Sequence, residues 1–152
     1  GLDNLNSRIV LLATTNLFES FDKALIRRFD TVIDFNRYTQ EDLAEIAEII
    51  LENLLQQFKF KGRNVRLFRK IIALMNPIPF PGELKNLIKT SIAFSNPHEE
   101  FDYLSRLFRQ VMPTSSLEYK DLQALGFSVR EIEILTKVSK STVSRTLMGE
   151  RQ

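Results

Sequence analysis

From Thr39 to the end of the chain, apolar residues recur mostly at helical spacing. Before it they come in two unbroken runs. Leu43, Ile46, Ala47, Ile50, Leu54 and Phe58 fall three or four residues apart, with Glu41 and Asp42 in what would be a first turn opened by Thr39 or Gln40; this is the pattern of an amphipathic helix with negative charge at its positive end. Lys59-Phe60-Lys61-Gly62-Arg63 ends it as a basic turn. Val65, Phe68, Ile71, Ile72 and Met75 predict a second helix stopping at Asn76-Pro77. After a connector stiffened by Pro77, Pro79 and Pro81, a third helix starts near Gly82 and carries Leu84, Leu87, Ile88, Ile92 and Ala93 inward until Pro97. A fourth, over residues 99–112, buries Phe101, Leu104, Leu107, Phe108 and Val111, and short links between four such helices predict a small bundle.

The first 36 residues read differently. Ile9 to Ala13 is apolar without alternation, as in a strand covered on both faces, so strands are expected over residues 8–14 and 31–35. At the end of the first stands Asn16, where ligands of open parallel sheets gather. Asp22 is expected to cap a short helix running to Arg27, and Arg27-Arg28 follows it. The expected fold is therefore mainly α with a small β portion.

The order Ala13-Thr14-Thr15-Asn16, Phe21-Asp22-Lys23-Ala24-Leu25, Ile26-Arg27-Arg28-Phe29-Asp30 resembles the second half of an AAA+ ATPase module. That resemblance implies that the two strands are a remnant of an α/β core (residues 1–36) and the four helices a lid (37–112), with a hinge at Asn36-Arg37-Tyr38. It implies a catalytic role for Asn16, as sensor 1 holding the attacking water, and for Arg27 and Arg28, as arginine fingers reaching a neighbouring subunit's nucleotide. Guanidinium groups suit charge spreading over phosphoryl oxygens. In the lid, Phe80-Pro81-Gly82-Glu83-Leu84-Lys85-Asn86 matches the start of the helix bearing sensor 2. Gly82 occupies that slot and offers no side chain, leaving Lys85 as the nearest substitute or as a plain surface lysine. The resemblance implies ATP and Mg2+ as cofactors of a full-length parent and a homo-oligomeric ring. No Gly-x-x-x-x-Gly-Lys-Ser/Thr loop occurs in the chain, so these residues alone are expected not to hydrolyse ATP, and the chain reads as the C-terminal part of a longer protein.

Residues 113–152 read as a separate unit. After Pro113-Thr114-Ser115-Ser116, three short helices are expected: residues 117–125 ending at Gly126, residues 129–136 opened by Ser128 and Glu131 as a capping box, and residues 140–148 opened by Ser139. The stretch Val138-Ser139-Lys140-Ser141-Thr142-Val143-Ser144-Arg145-Thr146-Leu147 resembles the recognition helix of bacterial helix-turn-helix regulators. Val138, Val143 and Leu147 would then face the core. Ser139, Lys140, Ser141, Thr142 and Arg145 would contact DNA, carrying the donors that phosphates and base edges accept. Two positions depart from the motif: Lys137 stands where glycine usually makes the turn, and Glu133 where a small residue packs.

Composition narrows the classes. The chain has 152 residues, 43% of them hydrophobic, enough for one ordinary domain or two small ones. It has no cysteine, and its single His98 has no companion ligand, so no metal site is expected. No apolar run would span a bilayer, and a cytoplasmic location without membrane contact is expected. A net charge of +2 permits nucleic-acid binding without demanding it. Three functions remain open: a DNA-associated ATPase, a remodelling or regulatory ATPase whose last helices dock a protein partner, and a transcription factor acting by itself.

Overall fold

A computed structural model describes residues 10–35, 37–112 and 118–149. The strand start at residues 8–9, the hinge residue Asn36 and the linker at 113–116 lie outside the described residues. The chain divides into two compact units, Gly1–Arg37 and Tyr38–Gln152.

In the first unit a 3-10 turn at Phe18–Ser20 is followed by α1, Lys23–Ile26. Asp22 caps α1, its Oδ1 accepting the Ala24 N–H at 3.0 Å. The two expected strands are not formed: no strand occurs among the described residues, where 10–15 and 31–34 run without regular structure. Among the described residues the fold is all-helical, without the two strands of the expected α/β remnant. An apolar run becomes a strand only when a neighbour takes up its backbone N–H and C=O groups. Here no ladder forms, and Val10, Leu12 and Ile33 are 83%, 87% and 71% exposed.

The second unit holds α2 (Gln40–Gln57), α3 (Val65–Ala73), α4 (Pro81–Ala93), α5 (Asp102–Val111), α6 (Tyr119–Ala124), α7 (Val129–Thr136) and α8 (Lys140–Gly149). Local signals set their ends. Thr39 and Asp42 form a reciprocal capping box on α2, Asn64 Oδ1 accepts the Leu67 N–H on α3, and Pro81 occupies the first turn of α4. Ser128 and Glu131 make the box of α7. The fourth helix begins at Asp102 rather than near Glu99, because Asn96 holds the preceding residues in turns, accepting the His98 N–H on Oδ1 and the Glu99 N–H on its carbonyl.

α2 packs against α3 and α4, and α5 against α3 and α4. The core continues without a break into the last three helices. Leu104, Leu107 and Phe108 of α5 join one buried cluster with Leu122, Phe127, Ile132, Leu135 and Val143, and the Phe108 and Phe127 rings meet edge to face at 6.0 Å. The buried Ser105 hydroxyl donates to the Leu135 carbonyl at 2.8 Å. Lys70 donates to the Gly126 carbonyl and to the Glu131 carboxylate, each at 2.7 Å. Residues 118–149 are thereby built onto the bundle.

Candidate nucleic-acid interface

The segment expected to be a helix-turn-helix comprises α7, the turn at residues 137–139 and α8. Lys137 adopts a left-handed conformation (φ 60°), and its N–H closes α7 on the Glu133 carbonyl at 2.9 Å. A side-chain-bearing residue takes the place where glycine would be cheaper. Its ammonium group is held on the other side of the turn: it pairs with Glu99 at 2.8 Å and with Asp102.

Asp102 is almost fully buried, 3% exposed. Arg106 Nε donates to its Oδ2 at 2.7 Å and the Asn96 N–H at 2.8 Å. Burial alone would raise its pKa, but hydrogen bonds from Lys137, Arg106 and the Asn96 backbone outweigh it and hold the carboxyl at about 2. The same contacts raise the pKa of Lys137, Asp102 first and Glu99 second. Beside this cluster lies a cleft of about 360 Å³ lined by Glu99, Phe101, Asp102, Glu133, Lys137 and Ser139 among others.

α8 starts at this cleft. The Glu133 carboxylate accepts the Lys140 N–H at 2.9 Å, and Ser139 Oγ accepts the Thr142 N–H at 3.4 Å while lying 3.1 Å from the Ser141 hydroxyl and 2.9 Å from that of Thr142. Val143 is buried against α6 and α7, with Val138 and Leu147 half-buried beside it. Ser139, Lys140, Ser141, Thr142 and Arg145 are all exposed. These five residues, named from the sequence, are thus all open to solvent: Ser141 and Arg145 lie across α8 from Val143, while Ser139 and Lys140 stand at its start, one turn before Val143. What sequence reasoning missed is the use made of its two irregular positions: Glu133 supplies a carboxylate to the first turn of α8, and Lys137 ties the turn to α5.

The residues tied by resemblance to a nucleotide are arranged otherwise. Asn16 sits in a bend after an irregular segment, with Thr15 Oγ1 accepting the Leu17 N–H at 2.9 Å, and Arg27 and Arg28 lie in the turn that follows α1; all three are exposed. Gly82 and Lys85 belong to the second unit, on the exposed side of α4, where a Cβ added at Gly82 would meet nothing within 4 Å. None of the five lines the cleft beside α8. Among the described residues, no group of three or more His, Cys, Asp or Glu side chains could hold a metal ion, and no helix is long and apolar enough to cross a membrane.

Comparison with protein-family models, curated proteins and solved structures finds no match.

Proposed function

We propose that this protein contacts duplex DNA through α8 and does so in the service of an ATP-hydrolysing, ring-forming assembly of the AAA+ kind. One observation supports the DNA reading: Ser139, Lys140, Ser141, Thr142 and Arg145 are all exposed at and beyond the start of α8, which Val143 anchors to the core. An ammonium, a guanidinium and three hydroxyls supply donors both for phosphate oxygens and for base edges. The left-handed Lys137 gives the sharp turn that lets a second helix stand clear of the first. The link to ATP turnover rests on the residue order from Ala13 to Asp30 alone.

The test is duplex binding by the chain followed as salt is raised. Binding through phosphate contacts loses affinity steeply with salt, with a slope of about 0.9 per phosphate neutralised. Lys140→Ala is expected to flatten that slope by about one across all sequences, while Arg145→Ala is expected to lower affinity for a preferred sequence by roughly tenfold or more. No binding at low salt would overturn the DNA reading and favour a protein partner for the same helices.

A further inference from the structure

Two non-glycine residues have a positive φ among the described residues, and both are lysines: Lys59 (φ 53°) and Lys137 (φ 60°). Each occupies a conformation that is costly for a residue with a Cβ. At Lys137 internal ion pairs offset that cost. The Lys59 side chain does not: it is exposed and has no ion-pair or hydrogen-bond partner among the described residues, and the same holds for Lys61.

The turn that carries these two lysines is built firmly. Lys59 N–H donates to the Gln56 carbonyl at 3.1 Å and Phe60 N–H to the Leu55 carbonyl at 2.8 Å, the paired bonds that close a helix through a left-handed residue. Phe60 then packs edge to face on the buried Tyr103 ring at 5.6 Å, and Arg63 is tied to Glu52. Gly62 lies so close to Glu100 that a Cβ on it would overlap the Glu100 carbonyl oxygen. The result is a fixed loop with two ammonium groups on its outer side, beside a cleft of about 490 Å³.

Its position gives the loop a use. Gly62 rests on Glu100, and Lys137 of the helix-turn-helix is bonded to Glu99. The basic turn and the turn before α8 are therefore seated on two consecutive residues of one short segment. We infer that Lys59 and Lys61 form a second phosphate-contacting element, gripping the DNA backbone alongside the stretch read by α8. This inference rests on the DNA reading above. A lysine acts on phosphate as a point charge, so the element adds affinity and fixes register without reading sequence.

The experiment measures duplex binding by the full chain and its variants over about 50 to 200 mM salt. For Lys59→Ala with Lys61→Ala, the slope of log affinity against log salt is expected to fall by about two, making the affinity loss over that range roughly tenfold smaller. The effect should be equal on all duplex sequences. Lys59→Gly separates binding from folding: relieving the left-handed side chain should raise Tm while weakening binding several-fold, whereas Lys59→Arg should keep the slope. If the unmodified chain binds and the double variant keeps its full slope, the second contact is overturned and the role of α8 stands. If the unmodified chain does not bind duplex at low salt, both fail.

Discussion

Asp102 is the residue on which the junction between the bundle and the last three helices is most exposed to test. It is a buried carboxylate held from three parts of the chain, by hydrogen bonds from Arg106 on its own helix and the Asn96 backbone before it and by an ion pair with Lys137 beyond α7. Its folded pKa of about 2 lies below the ordinary 3.8. The unfolded chain therefore takes up this proton first as pH falls, so the stabilisation is complete above the unfolded value and is lost as pH drops through about 4 towards 2, on the order of 2 kcal/mol in all. Asp102→Asn should remove much of that pH dependence, measured as urea midpoints at a series of acidic pH values. It should also destabilise the protein near neutrality, because Lys137 and Arg106 keep their charges without an anion between them. A variant that follows the parent's acid profile would show that Asp102 does not govern it. Tyr103, next in the chain, is pushed up to about 12 chiefly by burial and stays neutral throughout that range.

At the scale of the element, helix ends are where short-range chemistry decides, and two caps give comparable tests. Thr39→Ala and Ser128→Ala each remove a hydroxyl that accepts a first-turn N–H, Asp42 in one case and Glu131 in the other. Each should cost about 1 kcal/mol, seen as a lower thermal midpoint, with Gly at either site costing less. These caps were legible in the sequence because both partners lie within four residues. So was the exposure of Ser141 and Arg145 on α8, since helical spacing puts both on the side away from Val143. The absence of strands among the described residues was not legible, because the apolar runs at 10–13 and 31–35 state only a preference for burial, and a strand also needs a partner to bond. Nor was the contact of Lys137 with Asp102, whose residues are far apart in the chain and meet only once α5 and α7 have packed. Glu133 stood out as an oddity of the motif, yet its bond to the Lys140 N–H depends on the angle of a turn that the sequence does not specify.

The whole second unit shares one core, and that has a measurable outcome. Phe108, Phe127, Ile132 and Leu135 are all buried in the same cluster where α5 meets the last helices. A unit without an internal seam should unfold in one step, with tyrosine fluorescence and far-UV circular dichroism giving coincident transitions. Leu135→Ala should lower stability by about 2 to 5 kcal/mol, the range for removing a buried leucine side chain, and should do so for the bundle and the helix-turn-helix together. Two separated transitions would instead mark residues 118–149 as an independent domain.

The seating of Ser105 on the Leu135 carbonyl, with Lys70 reaching across to Gly126 and Glu131, has a mechanical meaning. These bonds anchor α7 and the turn before it to α3 and α5, so α8, which packs on α7, turns with the bundle. If the proposed contact with duplex DNA forms, the described residues of the second unit would ride on it as a single lever.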